Sequence, residues 1–278
     1  MKLQHIYGIY FSPTGGTETS VRTIADSIGA LFHIQPDFKD LTLPGNRIDT
    51  MHFTDEDLVI LGSPVYAGRV PNKIFPDFKK CLSGSGKTPV ICISVYGNRS
   101  AGDSVRELLF LCEENGFLPV AAATIVSEHA FSHILATNRP DASDLQKIKD
   151  FASSVGQHLK ESSELTALSF DRGTPVAPYY VPKKTDGTPA QFLKATPVTD
   201  ANLCTHCGIC ATVCPMGSIP AKDCTQVTGI CIKCQACIRK CPSHAKYFTD
   251  ENFLSHVKML EEHFTTRKEP AFYTVAVH

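Results

Sequence analysis

The chain has 278 residues, a formal net charge of −1 and 42% hydrophobic residues. This length is comfortable for two domains, and the near-neutral charge argues against a nucleic-acid-binding protein. No apolar run approaches the roughly 18 residues of a membrane-spanning helix, and residues 1–5 lack a signal-peptide pattern. We therefore expect a cytoplasmic protein with no membrane span and no nucleic-acid partner.

Strand-like and helix-like segments alternate through residues 1–160. The predicted strands cover residues 2–11, 31–38, 57–63, 89–95 and 118–126, and the predicted helices cover residues 17–30, 72–81, 101–115 and 141–160. This alternation predicts an α/β fold with a parallel, doubly wound sheet of five strands. The segment 57–63 (DLVILGS) is almost entirely apolar, which is typical of a strand covered on both faces.

The chain changes character after residue 160. Residues 161–195 contain prolines that break any regular pattern and indicate an interdomain linker: Pro175, Pro178, Pro182 and Pro189. A cysteine-rich unit follows at residues 196–248. Residues 249–278 contain a predicted helix at 252–264 and an apolar tail at 271–275, which we expect to form either an edge strand or a clamp.

Nine of the twelve cysteines lie between Cys204 and Cys241. They include two runs of the pattern C-x2-C-x2-C-x3-C-P, beginning at Cys204 and Cys231, which indicate a pseudo-twofold unit with one core. In a reducing compartment such crowding argues for metal ligation rather than disulfides. Zinc sites commonly draw their four ligands from two separated pairs, whereas these thiolate triples suit iron–sulfur clusters.

In this pattern each run supplies three ligands to one cluster and a fourth ligand to the other. The cluster at site I is therefore assigned to Cys204, Cys207, Cys210 and Cys241. The cluster at site II is assigned to Cys231, Cys234, Cys237 and Cys214. The repeated run resembles the bacterial-type two-cluster 4Fe–4S ferredoxins, which are small α+β proteins. Cys224 lies outside the pattern and is interpreted as a buried spare thiol rather than a ligand.

A glycine-containing loop follows the first predicted strand and opens a helix. Its candidate binding residues are Ser12, Thr14, Gly15, Gly16 and Thr17. Hydroxyl groups and glycine N–H groups at the start of a helix can hold an anion. No lysine follows the glycines, so the loop is not a Walker A loop. The alternative is an ordinary capped helix after a turn.

Two further loops follow the third and fourth predicted strands, at the sheet edge where the first strand also ends. Their candidate residues are Ser63, Pro64, Tyr66, Ala67 and Gly68 in the first loop, and Tyr96, Gly97 and Asn98 in the second. Aromatic rings on such loops can stack on a flavin, and glycines let the backbone approach it.

With the glycine-containing loop, these elements resemble the flavodoxin-like flavoproteins. That resemblance implies FMN as a cofactor and the strand order 2-1-3-4-5. It also implies that Tyr66 lies beside the flavin, that Ala67 and Gly68 lie near its N5 edge, and that the 96–98 segment lines its other side.

Several residues depart from the usual flavodoxin pattern. The chain has no tryptophan, and Arg69 and Arg99 occupy the flavin loops, where no acidic run is found. Cations near the ring would stabilise an anionic reduced flavin, so we expect a less negative potential for its second one-electron step. His129 and His133 follow the fifth strand, and structural hydrogen bonds are favoured over proton donation for both.

As a whole, the chain resembles the flavodoxin–ferredoxin fusion proteins of anaerobic bacteria. The resemblance implies an electron carrier between redox partner proteins, which would themselves be iron–sulfur or flavin proteins. The alternative is an FMN-dependent reductase of a small acceptor such as a quinone, a nitro compound or an activated alkene. A covered flavin edge favours the carrier and an open edge favours the reductase. No G-x-G-x-x-G sequence follows a strand, so direct use of a nicotinamide is not supported.

Overall fold

The computed structural model describes residues 3–275 of the chain. The strands of the main sheet are β1 (His5–Tyr10), β2 (Asp37–Asp40), β3 (Asp57–Pro64), β4 (Thr88–Tyr96), β5 (Phe117–Val126) and β6 (Ala271–Thr274). The helices are α1 (Gly16–Phe32), α2 (Phe75–Cys81), α3 (Ser104–Glu114), α4 (Ala142–Glu161), α5 (Ile209–Thr212), α6 (Ala236–Arg239) and α7 (Glu251–His263). None of the helices in this range combines the length and the apolar character of a membrane span.

The order of the strands across the sheet is β6-β5-β4-β3-β1-β2. Strands β1 to β5 are parallel, and β6 runs antiparallel to β5. The predicted α/β fold, with a doubly wound sheet of order 2-1-3-4-5, is confirmed by this topology. Tyr10 pairs with Gly62, and Ser63 pairs with Ser94, so β1, β3 and β4 end at the same edge. This edge is where doubly wound sheets form their ligand crevice.

Two apolar layers cover the sheet. On one face Leu58 and Ile60 of β3 pack with residues of α1 and α4, and on the other face Val59 and Leu61 pack with residues of α2 and α3. All four of these side chains are fully buried. This two-sided burial explains the continuous apolar sequence of β3, since fully burying each such side chain stabilises the fold by about 1.5–3 kcal/mol.

The predicted second strand at residues 31–38 is wrong in its position. Helix α1 continues to Phe32, and His33 ends it in the left-handed conformation with φ of 58°. Strand β2 then begins at Asp37. The apolar side chains at 31, 32 and 34 continue the 3.6-residue spacing of α1, so they indicated helix and strand equally well.

The C-terminal segment packs against both halves of the chain. The ring of Phe253 on α7 stacks on Phe248 of the cysteine-rich unit, with 4.2 Å between centroids, and lies 4.9 Å from Phe131 after β5. The tail forms the edge strand β6, where Phe272 stacks on Phe151 of α4 at 4.8 Å. Residues near the two ends of the chain therefore share one sheet.

Gly62 gives a test of the packing between α1 and β3. A β-carbon at this position would overlap Cγ2 of Val21 and lie 2.8 Å from Cγ2 of Thr17. We expect Gly62→Ala to lower the free energy of unfolding by about 1–3 kcal/mol, because overpacking forces the helix away from the sheet. Urea denaturation of the two proteins measures the difference.

Gly45→Ala is the matched control, since a β-carbon there meets no atom within 4 Å. It should leave the urea midpoint close to that of the unaltered protein. Equal midpoints for the Gly62 and Gly45 variants would contradict the packing argument.

Candidate metal centres and anion-binding cavity

The two cysteine runs adopt the same backbone conformation. Three pairs of residues at equivalent positions of the runs have left-handed φ angles: His206 and Lys233 (54° and 57°), Gly208 and Gln235 (75° and 67°), and Gly217 and His244 (60° and 53°). Each run curls around its first two cysteines and then enters a short helix, α5 or α6, which carries the third. The unit is therefore a pseudo-twofold pair, as the sequence repeat predicts.

The eight cysteines of the pattern line two separate cavities. The site II cavity is lined by Cys214, Cys231, Cys234 and Cys237. The site I cavity is lined by Cys204, Cys207, Cys210 and Cys241, together with Cys224. Each cavity thus draws three thiols from one run and a fourth from the other, which is the arrangement assigned from the spacing. Four soft donors around a small pocket fit a 4Fe–4S cluster.

The fourth cysteine of each run receives a backbone hydrogen bond on its sulfur. The N–H of Ser218 donates to Sγ of Cys214, and the N–H of Ala245 donates to Sγ of Cys241, both at 3.3 Å. Burial disfavours the charged form of Cys241, but hydrogen bonds from Ser243 and Ala245 outweigh it and lower its pKa. These contacts stabilise a thiolate, the form that binds iron.

Other thiols of the unit lie in more apolar surroundings. Burial raises the pKa of Cys237 to about 12 and raises that of Cys234 well above its usual value. The protonated thiol is therefore the stable form in the absence of a metal. Because iron binds the thiolate, cluster assembly releases these protons.

The loop after β1 has the geometry of an anion-binding site. Gly15 adopts φ of 96° before α1, and the hydroxyl of Ser12 accepts the N–H of Glu18 at 3.0 Å. Among residues 3–275 no acceptor is found for the N–H groups of Gly15, Gly16 and Thr17. Unpaired N–H groups at a helix start attract an anion such as a phosphate.

A cavity of about 370 Å³ opens beside this loop. Thr14, Gly15 and Gly16 form one side, and residues 127–130 and 138–140 form the other. Arg239 of α6 also lines the cavity, although it belongs to the cysteine-rich unit. The volume lies within the range of about 300–1,000 Å³ that is usual for ligand pockets.

Two of the predicted binding residues have structural roles in this loop. Ser12 is buried, and its hydroxyl accepts the N–H of Glu18 in the first turn of α1. Thr17 is 3% exposed and faces Gly62 of β3. Thr14 is exposed at the cavity, and its side chain remains the one most free to reach an anion.

The predicted flavin-ring residues do not line this cavity. Tyr66 and Arg69 exchange two backbone hydrogen bonds and form a tight turn, with Ala67 and Gly68 in the left-handed region. The linker covers this turn, because the N–H of Tyr180 donates to the carbonyl of Ala67 at 2.8 Å. The predicted flavin contacts of the 63–68 segment remain predictions. A flavin edge that lay beside this segment would be shielded by the linker.

The second predicted ring loop is buried by the C-terminal segment. Nδ2 of Asn98 donates to the carbonyls of Phe264 and Thr266 at 2.6 and 2.9 Å, and Oδ1 accepts the N–H of Lys268 at 3.2 Å. The whole side-chain amide is thereby used, so a flavin contact from Asn98 would come from its backbone. Tyr96 is 8% exposed, and a β-carbon on Gly97 would lie 2.5 Å from Cδ2 of His129.

Both arginines of the ring loops have partners of their own. Arg69 pairs with Glu107 at 2.6 Å, which compensates its charge. The Arg99 guanidinium lies 3.9 Å from the ring centroid of Tyr180, and burial lowers its pKa. Arg99 is thus the less compensated of the two cations beside the predicted ring site.

The two histidines after β5 make hydrogen bonds within the protein. Nδ1 of His129 accepts the N–H of Phe131 at 3.1 Å, and Nδ1 of His133 lies 2.9 Å from Nη1 of Arg239. Burial lowers the pKa of His129 to about 4, with smaller contributions from His256, Arg99 and Arg239. His129 is therefore neutral near pH 7 and carries its proton on Nε2.

Arg239 joins the cysteine-rich unit to the loop after β5. Its Nη1 donates to Oε1 of Glu128 at 2.7 Å, and its Nη2 donates to the carbonyls of His129 (2.9 Å) and Ser132. Its Nε donates to the carbonyl of Ala130 at 3.2 Å. One guanidinium thus satisfies three backbone carbonyls and the Glu128 carboxylate, and it connects α6 to one wall of the cavity.

A second arginine anchors the same interface from the other side. Nη2 of Arg47 donates to the carbonyl of Pro215 at 2.8 Å, and Arg47 also pairs with Asp77 of α2. Met216 and Ile232, which flank site II cysteines, pack against the apolar layer of α2 and α3. Site II therefore lies against the sheet-containing unit.

The comparisons with known proteins identify the cysteine-rich unit. Residues 196–219 and residues 228–250 each match a family model described as a 4Fe-4S binding domain. The predicted iron–sulfur cofactors are thereby confirmed, and the chain joins a flavodoxin-like α/β unit to a two-cluster ferredoxin-type unit. No curated protein matches the chain.

Several solved structures resemble the sheet-containing unit. A flavodoxin from the domain Archaea is 13% identical, covers 57% of this chain and all of its own, and has a TM-score of 0.37. The Streptococcus pneumonia TIGR4 flavodoxin is 14% identical, covers 56% of this chain and 99% of its own, and has a TM-score of 0.40. An azoreductase from Bacillus anthracis is 11% identical, covers 56% of this chain and all of its own, and has a TM-score of 0.36. These similarities are too weak to carry an argument, so the assignment of the fold rests on the strand order.

The neutral state of His129 gives a test by pH. Its pKa is about 4 in the folded protein and about 6.5 when unfolded, so the unfolded chain binds more protons between these values. The free energy of unfolding therefore falls as the pH drops through this window, by about 2 kcal/mol at pH 5.

His129→Gln should remove this contribution. Urea midpoints at pH 7 and pH 5 would then differ less for the variant than for the unaltered protein. An identical pH dependence of the two proteins would show that His129 does not carry the effect.

Proposed function

We propose that this protein carries electrons between redox partner proteins through two 4Fe–4S clusters and FMN held in one chain. The observation that supports this most directly is the position of site II against the flavodoxin-like unit. Met216 and Ile232 pack on the apolar layer of that unit, and Pro215 is hydrogen-bonded to Arg47. Neighbouring redox centres in a single chain exchange electrons without waiting for diffusion.

The loop after β1 fits the phosphate of FMN. Its unpaired N–H groups at Gly15, Gly16 and Thr17 favour a dianion, and no lysine is needed to hold it. When bound, FMN supplies a centre that takes up two electrons and releases them singly, whereas each cluster carries one. The residues of the chain hold the phosphate, shield the site from water and fix its position relative to the clusters.

Two observations support the order site I, site II and then FMN. Burial raises the pKa of Tyr66 well above its usual value, and the nearby site II thiols Cys234 and Cys231 raise it further. This tyrosine of the predicted ring loop is thus close enough to site II to sense its charge. Cys207 of site I is exposed instead, so site I is the cluster accessible to a partner protein.

The covered ring loops favour the carrier over the reductase. Tyr180 of the linker is hydrogen-bonded to Ala67, and its ring packs on Arg99. A quinone or nitro compound would have to displace the linker before it reached this edge.

The deciding experiment is an anaerobic preparation with iron, sulfide and flavin analysis, followed by reductive titration monitored by absorbance and EPR. We expect two 4Fe–4S clusters and one FMN, with electrons passing from the clusters to the flavin within one chain. Turnover with a panel of quinones and nitro compounds should be slow. A protein without flavin would refute the proposal, and rapid turnover would establish the reductase.

Thr14 tests the phosphate site. Thr14→Ala removes a hydroxyl that faces the cavity, and loss of one hydrogen bond to a charged group should weaken FMN binding by about tenfold or more. Fluorescence titration of the flavin-free protein with FMN measures the effect, while the iron content should not change.

Thr23→Ala is the control, because Thr23 lies on the same helix and its hydroxyl donates to the carbonyl of Thr19 at 2.8 Å. Equal FMN affinity of the two variants would place the phosphate elsewhere.

Arg239 tests the contact between the two units. Arg239→Gln removes most of the hydrogen bonds to the loop after β5, so the units should separate more easily. We expect slower electron transfer from clusters to flavin and about tenfold weaker FMN binding, since that loop forms a cavity wall. Anaerobic stopped-flow absorbance and FMN titration give the two values.

Arg172→Gln provides the comparison, because this linker arginine pairs with Glu113 of α3 away from the interface. It should keep both the transfer rate and the FMN affinity. If Arg239→Gln also kept both values, the contacts of Arg239 with the loop after β5 would have no role in coupling the cofactors.

A further inference from the structure

Site I has one more thiol than a 4Fe–4S cluster requires. Five cysteines line its cavity, whereas four line the site II cavity among the residues that the structure describes. The additional cysteine is Cys224, which lies between the two sequence runs and outside their pattern. The two sites are otherwise built from the same repeated unit, so the difference between them is a property of this residue.

Cys224 is positioned as part of the site rather than beside it. Its side chain is buried, with 4% of the residue exposed. Sγ of Cys224 and Sγ of Cys204 lie within 4.8 Å of each other, and a ring nitrogen of His206 lies within the same distance. Sγ of Cys210 lies 3.4 Å from the backbone carbonyl of Cys224, so the residue also adjoins a second cysteine of site I. This contact is a hydrogen bond only while Cys210 is a thiol.

We propose that Cys224 is a reserve ligand of the site I cluster, able to occupy the iron corner assigned to Cys204. The exchange replaces one thiolate by another, so neither the donor type nor the charge of the cluster changes. The iron–Sγ bond of Cys204 breaks, and the Cys224 thiol loses its proton as its sulfur bonds to the same iron. The released Cys204 thiolate takes up a proton, so the total charge of the site is unchanged. No electrons are transferred in this step.

The local backbone allows the small movement that this exchange needs. Residues 220–230 contain no helix or strand, so a shift of Cys224 breaks no regular hydrogen-bond ladder. The reserve does not extend to the corner assigned to Cys207. Cys207 is exposed and lies outside the group formed by Cys204, His206 and Cys224.

The experiment compares the cluster content of single and double variants after anaerobic reconstitution. Cys204→Ala is expected to retain the iron and sulfide of the unaltered protein, because Cys224 replaces the missing ligand. The double variant Cys204→Ala/Cys224→Ala is expected to lose the iron and sulfide of one cluster, or to show the EPR signal of a three-iron cluster. Cys224→Ala alone should retain both clusters.

Two matched controls define the full loss of a ligand. Cys207→Ala removes a site I ligand that Cys224 does not approach, and Cys214→Ala removes a site II ligand where no fifth thiol exists in the described range. Each should lose iron and sulfide. Native mass spectrometry gives the count of intact clusters, and the site II EPR signal in the Cys204 and Cys207 variants verifies that the unit is folded.

Two results would overturn the proposal. In the first, Cys204→Ala loses as much iron as Cys207→Ala, which means that Cys224 does not bind. In the second, the double variant retains the cluster, which means that His206 or solvent holds the corner. The inference rests on the clusters but not on FMN, and cluster analysis of the unaltered protein tests the clusters separately.

Discussion

The guanidinium of Arg239 is the interaction on which the relation between the two halves of the molecule depends. It leaves α6 between Cys237, a predicted ligand of site II, and Cys241, a predicted ligand of site I, and it binds Glu128 and neighbouring carbonyls after β5. The charge of this half-buried arginine is compensated because its donors are satisfied by a carboxylate and by backbone oxygens. The helix that carries a predicted cluster ligand therefore also contributes to the cavity beside the predicted phosphate loop.

Two kinds of covering segment complete the structure around this contact. The linker lies over the turn at Ala67, and the segment after α7 takes up the whole amide of Asn98. Both loops of the predicted ring site are thus enclosed by parts of the chain that flank the ferredoxin-type unit in sequence. Such shielding is consistent with a redox centre that receives its electrons through the protein and not from small molecules in solution.

The sequence predicted those features that local spacing determines. The cysteine runs defined two sets of four thiols, and the alternation of apolar strands with helices predicted the parallel α/β sheet. The order of its strands followed from the resemblance to flavodoxin-like proteins. Local spacing could not resolve the start of β2, because the apolar residues around Phe32 fit helix and strand periodicity alike. Nor could it predict the partners of Arg239 or Asn98, which lie more than a hundred positions away in the chain and are mostly carbonyl oxygens. Backbone acceptors leave no trace in residue identity.

The strand β6 has a consequence for how the molecule is made. It pairs with β5 through Ala271–Thr274, and nearly 150 residues separate the two partners in the chain. During synthesis on the ribosome, the outer edge of β5 stays unpaired until all the iron-binding cysteines have emerged. An exposed strand edge is a site of aggregation, so the edge of β5 lacks its protection until β6 has been synthesised.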